Sequence, residues 1–421
     1  MQPESWPLST SVAWFIVSPI LAVLLFSAAL ATANVLVRHV SAIRHTIVAV
    51  ETARYKAIDG LRGFLGISVF IHHIVITWFF IHGSSWQTFP NRFVLHLGQT
   101  SVALFFMITA FLFWGRVLAR GSSIDWAEFF VSRLYRLYPI YFLVLGLVGV
   151  MVIALTWSAP AAPVGSLEKP LLQWLLMFGT PDLNGLPHTG LLIAGVTWSL
   201  RYEWLFYLAL PFFGFVAGGS RQPLAALLAV TVVAAIVYRS AAHGLFDIGI
   251  LQSFLGGIVA AYWVRNPALA RIGRAPASGL VAIAALLAVV MFEPTAFTWE
   301  ATLGLGLFFV VVASGHSLGG VLRQPGLLWL GDITYGIYLL HGFLLWLIFQ
   351  RLLPHTAGNN GIIFLMAAVA IAIVLVLLCS AVFLTIEHPA ILMGKRHYQW
   401  MTHSAAALRI NGWGRLRPRR P

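Results

Sequence analysis

Ala57-Ile58-Asp59-Gly60-Leu61-Arg62-Gly63-Phe64, continuing without a break to Ile71-His72-His73-Ile74, has the apolar character of a membrane-crossing helix, yet it carries an acid, an arginine and two histidines. At the centre of a bilayer such groups cost at least about 2–3 kcal/mol each, so they need partners or a water-filled cavity. Arg62 and His73 stand eleven residues apart, about three helical turns and about 16 Å of rise. At about 100° per residue they share a face. Asp59 and Gly66 fall within about 40° of the same line, and His72 points elsewhere. One face thus presents an acid, an arginine, a gap without a side chain, and a deep histidine.

The rest of the chain agrees with a membrane reading. Of 421 residues, 60% are hydrophobic and 9% charged, against about 25% charged in a soluble domain. Several apolar runs reach the length of a spanning helix, and they are too continuous for barrel strands. The fold class expected is an all-α polytopic transmembrane bundle. The net charge of +13 does not point to nucleic acid, because the basic residues sit between apolar runs as a topology signal does. The one cysteine, Cys379, excludes an intrachain disulfide.

The pattern gives eleven spans, near 12–36, 61–82, 98–118, 137–157, 197–216, 223–240, 247–264, 276–292, 299–316, 332–352 and 361–384. With the N-terminus outside, 21 of the 26 Lys and Arg fall on the inner side and four on the outer, with Arg201 inside a span. One missed or invented helix would scramble that asymmetry. The division expected is an N-terminal helix and basic linker over 1–56, a membrane domain over 57–394, and a mobile basic tail over 395–421. The outer connection 157–196 holds five prolines and a short apolar piece, Leu171–Phe178, expected to be re-entrant or interfacial.

Several clusters have chemical potential. Arg133 and Arg136 stand at the inner mouth of a span, on one side of it. They read either as topology anchors or as a bidentate clamp for a phosphorylated cytosolic ligand. Glu203, within Trp198-Ser199-Leu200-Arg201-Tyr202-Glu203-Trp204, reads as a site carboxylate or as the partner of Arg201 or another arginine. Tyr335, Tyr338 and His341 present hydrogen-bonding groups along another span. At about 1.5 Å per residue in a core about 30 Å thick, His73 lies about 18 Å from the inner surface, Glu203 about 21 Å and His341 about 14 Å. This predicts a polar column from a basic inner mouth to a His/Glu cluster past the midplane.

In order along the chain, these motifs resemble the membrane-bound acyltransferase-3 family. The resemblance lies in Arg62 with His73 after ten intervening residues, and in Leu104-Phe105-Phe106-Met107-Ile108-Thr109-Ala110, where the family usually has Ser-Gly for Thr109-Ala110. It extends to Arg133-x-x-Arg136 with Pro139, Trp198-Ser199-Leu200 with Glu203, Thr334-Tyr335 to His341, and Glu387-His388-Pro389. The resemblance implies a ten-helix core, with the helix at 12–36 extra. It implies transfer of an acyl group, usually acetyl from acetyl-CoA, across the membrane to a hydroxyl of a carbohydrate or lipid-linked glycan. The catalytic group it suggests is His73 with Arg62, Glu203 and Asp59. The acyl-CoA group is Arg133, Arg136, Tyr138, Tyr335 and His341, and the acceptor group is Trp198, Ser199 and Tyr202. No permanently bound cofactor and no metal site are expected; acyl-CoA, the glycan and membrane lipids are the expected partners. The setting implied is a bacterial inner membrane. The rival function is a flippase or transporter for a lipid-linked sugar, but no related halves are visible in the chain.

Overall fold

In a computed structural model of the protein the stretch quoted above lies within one long helix. The structure describes residues 8–51, 55–87, 91–158, 163–217, 246–353 and 360–414. The span expected at 223–240 lies outside them. In chain order the helices are α1 (Leu8–His39), α2 (Ser41–Glu51), α3 (Lys56–Ile81), α4 (Arg92–Arg120), α5 (Trp126–Thr156), α6 (Val164–Leu175) and α7 (Trp198–Ala217). They continue as α8 (Ser253–Trp263), α9 (Pro267–Arg274), α10 (Pro276–Phe292), α11 (Trp299–Ala313), α12 (Pro325–Asp332), α13 (Thr334–Trp346), α14 (Gly361–Val382) and α15 (His388–Gly414). No β-strand occurs among the described residues. Six of the described helices are long and apolar enough to cross a membrane. The fold is an all-α polytopic bundle, as the sequence leads one to expect. The remaining expected spans in the described residues correspond to the shorter helices α7, α8, α10 and α11.

Lipid tails are as apolar as leucine, so helices in a membrane associate through close packing rather than through the hydrophobic effect. Here α3 does this with glycine. A β-carbon on Gly60 would stand 1.9 Å from the carbonyl oxygen of Leu322, and one on Gly63 would stand 2.3 Å from that of Leu327. From the other side, a β-carbon on Gly331 would stand 2.1 Å from the carbonyl oxygen of Asp59. Gly66 faces the Thr334 side chain, whose hydroxyl is shared between the carbonyls of Leu330 at 2.6 Å and Arg62 at 3.1 Å. The backbones of α3 and the α12–α13 pair therefore touch, which fixes the register of Arg62 and His73 against α13.

The contact of α4 with α8 works the same way from the opposite partner. Ala110 stands where the family motif has glycine, and the small residue is supplied by Gly257, whose added β-carbon would lie 2.0 Å from the Met107 carbonyl oxygen. After Trp263 the chain turns through 111° into α9. Outside the family-like core, α1 packs on α12, with Asn34 accepting a hydrogen bond from the Gly326 amide at 3.0 Å.

The 157–196 connection has two parts. Its helix α6 leaves Leu171, Leu172 and Leu175 exposed. The segment that enters the bundle lies later, where Thr189, Leu192 and Ile193 are buried. Gly342 makes room for it, since a β-carbon there would meet the Ile193 carbonyl carbon at 2.3 Å. The tail, expected to be mobile, begins as the ordered helix α15 docked on α5. Tyr135 hydrogen-bonds Nδ1 of His397 at 3.0 Å, the Tyr398 hydroxyl donates to Asp125, and Gly394 fits against the Tyr135 ring. Basic composition hid the aromatic and polar residues that hold it.

Gly63→Ala should lower the melting temperature of the detergent-solubilised protein, with an overpacking cost of about 1–3 kcal/mol. Gly115→Ala, where an added β-carbon meets nothing within 4 Å, should be neutral or stabilising by up to about 1 kcal/mol, because alanine favours a helix. A thermal-melting series on the two variants checks the contrast.

Candidate functional site: a histidine pair between two cavities

His72 and His73 turn to different neighbours, as a step of about 100° requires. His72 is buried against α4, with Nδ1 bonded to the Val94 carbonyl at 2.7 Å and its ring filling the space left by Gly98. His73 turns to α13 and meets His341, which is fully buried. Nδ1 of His341 lies 2.9 Å from the Ile337 carbonyl oxygen, so it carries the proton and donates it. Nε2 of His341 is then an acceptor, 3.1 Å from Nδ1 of His73. Nδ1 of His73 also lies 3.0 Å from the Val69 carbonyl, and a proton on Nδ1 serves both contacts. The bonding pattern thus assigns His73 the Nδ1–H tautomer, leaving Nε2 with a free lone pair. The Trp86 ring lies 6.2 Å away and nearly parallel, at 18°.

Two cavities flank the pair along α3 and α13, and neither histidine is in the wall of either. One, of about 390 Å³, is lined by Arg62, Arg116, Arg133 and Arg136, with Glu203, Asp332, Ser199, Tyr335 and Tyr338. The other, of about 210 Å³, is lined by Thr77, Phe80, Trp86, His188, Gly342 and Trp346, among others. Along α3 the order is Arg62, His73, Thr77; along α13 it is Tyr338, His341, Gly342. Both helices therefore pass from the arginine cavity through the histidines to the aromatic cavity.

The arginines differ in what neutralises them. Arg62 pairs with Asp59 one turn away at 3.7 Å. Arg136 forms an ion pair with Glu387, which is fully buried; the two groups are close, but neither Glu387 oxygen gains a well-aligned hydrogen bond. Arg116 and Arg133 have no ion pair among the described residues. Both lie over the Phe113 ring, at 5.2 and 4.9 Å from its centroid.

The acyltransferase domain family matches residues 55–384, most of the chain and every residue lining the arginine cavity. The protein belongs to the acyltransferase-3 family. No curated protein and no solved structure matches it. The match begins after α1 and α2.

The membrane acyltransferase brings some of the sequence-derived residues together and separates others. Arg62, Arg133, Arg136, Glu203, Ser199 and Tyr335 line the arginine cavity, while His73 and His341 contact each other and line neither cavity. Tyr138, Trp198 and Tyr202 line neither cavity. Tyr138 packs against Tyr141, Phe142 and Trp204. Trp198 packs against Tyr202 and Phe297, and the Tyr202 hydroxyl accepts the Asp247 amide at 2.8 Å. Ser199 donates to the Tyr338 hydroxyl oxygen at 2.6 Å, while Tyr338 donates to the Val196 carbonyl at 2.8 Å.

Glu203 departs from the depth estimate. It shares the cavity of Arg62 rather than standing level with His73, and its hydrogen-bond donor is Tyr207 one turn on, not Arg201. The reason is that the buried segment ending at Val196 carries the start of α7 into the bundle, so counting from the outer surface overestimates its height. The Nε of Arg201 is buried without a partner, and its guanidinium lies over the Tyr202 ring. The acyltransferase also has site residues that sequence reading passed over. Arg116 looked like one more inner-loop arginine. Asp332 lies two residues before the Thr334-Tyr335 motif, but its buried, unpartnered Oδ2 in the cavity wall shows only in three dimensions.

Arg136→Ala should reduce the folded yield sharply, since breaking a buried pair on one side costs about 3–5 kcal/mol. Arg136→Met with Glu387→Leu should recover much of that stability. Size-exclusion profiles and melting curves of the three proteins check this.

Proposed function

We propose that the protein is an O-acyltransferase of the inner membrane that moves an acetyl group from cytoplasmic acetyl-CoA to a hydroxyl of a glycan on the outer side. The N-terminus lies outside and the C-terminus inside, following the excess of Lys and Arg on one side of the spans. The observation that carries the reading is the His73–His341 pair, held on two helices that both run from an arginine-lined cavity to an aromatic one. The donor occupies the arginine cavity, where guanidinium forks suit phosphate oxygens. The acceptor comes from the aromatic side.

The step balances as follows. The acceptor hydroxyl gives its proton to Nε2 of His73, and its oxygen attacks the thioester carbonyl carbon. The carbon–sulfur bond then breaks. The departing thiolate takes the proton from the His73 imidazolium, leaving the ester and free coenzyme A. His341 holds the His73 ring and, as acceptor at Nδ1–H, favours the imidazolium that forms. Arg62, braced by Asp59 and about 16 Å down α3 from His73, lines the passage of the donor rather than touching the reacting oxygen. Histidine suits the base role because its unperturbed pKa lies near working pH.

Mass spectrometry of cell-surface glycans with and without the gene tests the reading. Loss of an acetyl ester in the deletion strain supports it, and identical glycans refute it. Within this reading, His73→Ala should insert and bind acetyl-CoA but lose about 10²–10⁴-fold in transfer rate. His72→Ala should lose stability and keep substantial activity per folded molecule; equal loss in the two would remove His73 from the base role. Arg133→Ala should raise the KM for acetyl-CoA by about 10- to 100-fold, from a charge-assisted contact of about 1.5–3 kcal/mol. Arg133→Lys should recover little of it.

A further inference from the structure

A third cavity, of about 250 Å³, adjoins the arginine cavity and shares Phe113 and Arg116 with it. Its wall includes Arg120, one turn beyond Arg116 on the same face of α4, together with Trp126, Asp125 and Glu128. The two cavities are neighbours along α4 and meet at Phe113 and Arg116.

A CoA thioester brings a diphosphate and a 3′-phosphate, so it needs several unneutralised cations. Arg62 and Arg136 are already paired with Asp59 and Glu387. Arg116, Arg120 and Arg133 form no ion pair among the described residues, although Glu128 shares the wall with Arg116 and Arg120. Asp125 is occupied, since its oxygens accept the Glu128 amide at 3.0 Å and the Tyr398 hydroxyl. Arg116 stands where the cavities meet, held over the Phe113 ring that Arg133 also contacts. Guanidinium presents a planar fork that two phosphate oxygens can accept together.

Resting on the donor assignment above, we propose that this third cavity takes the nucleotide end of the CoA thioester, with Arg116 and Arg120 reading its 3′-phosphate. Arg133 then faces the diphosphate, and the thin pantetheine arm continues through the arginine cavity towards His73. The two arginines thereby make the protein selective for CoA thioesters over thioesters that lack the 3′-phosphate.

The test compares acetyl-CoA with 3′-dephospho-acetyl-CoA as donors for the purified full-length protein in proteoliposomes, with coenzyme A release as the readout. The parent should favour acetyl-CoA by about 10- to 100-fold in kcat/KM, the loss expected of one or two charge-assisted contacts. In Arg120→Ala and Arg120→Gln the KM for acetyl-CoA should rise towards that for the dephospho thioester, so the ratio collapses towards one. Melting curves matching the parent's establish that these variants are folded. A parent that uses both thioesters equally, or variants that keep the parent's ratio, overturns the 3′-phosphate assignment and leaves the donor assignment standing. A parent that consumes neither thioester overturns both.

Discussion

The rest of the structure depends on the backbone contact between α3 and the α12–α13 pair. Hydrocarbon gives helices no hydrophobic reason to associate, so what holds them is contact at short range. Gly60, Gly63 and Gly331 allow that contact, and Thr334 adds a hydroxyl bonded across it to the Arg62 carbonyl. A single added methyl would force the backbones apart. Because the contact is made by main chain, it sets the register of α3 on α13 more tightly than flexible side chains would. His73 meets His341 as a result of that register.

Polar groups in the bundle follow from the same scarcity of water. Each must find a partner in the protein or border a cavity. Arg136 and Glu387 solve this by pairing, which ties α5 to the junction of α14 with α15. Asp59 pairs with Arg62 and still leaves it on the cavity wall. Arg133 and Arg116 solve it differently, by lying on an aromatic ring beside open space. Two arginines of one sequence motif therefore have different surroundings. Arg136 is committed largely to the fold, and Arg133 is open to a ligand.

The histidine pair shows how a fully buried residue can set the tautomer of its neighbour. His341 has both ring nitrogens engaged, one by its own helix and one by His73. Its effect is to decide which nitrogen of His73 carries the proton. A glutamate would have done this with a full charge, at a desolvation cost inside the membrane. A neutral imidazole does it with dipoles alone.

Much of this was legible in the residues. Hydropathy alone determines that the chain is a helical membrane protein, because spanning helices need long apolar runs and nothing else satisfies the backbone in lipid. The helical repeat alone separates His73 from His72 and joins His73 to Arg62, because those relations stay within one helix. The tertiary structure decided everything that depends on residues far apart in the chain. His341 lies 268 positions from the histidine it orients. The depth of Glu203 depends on a buried segment before α7, whose course leaves no periodic signal. The value of Arg116 arises from sharing a phenylalanine ring with an arginine on the next helix. Local spacing fixes which side chains leave a helix together; only packing decides what they meet.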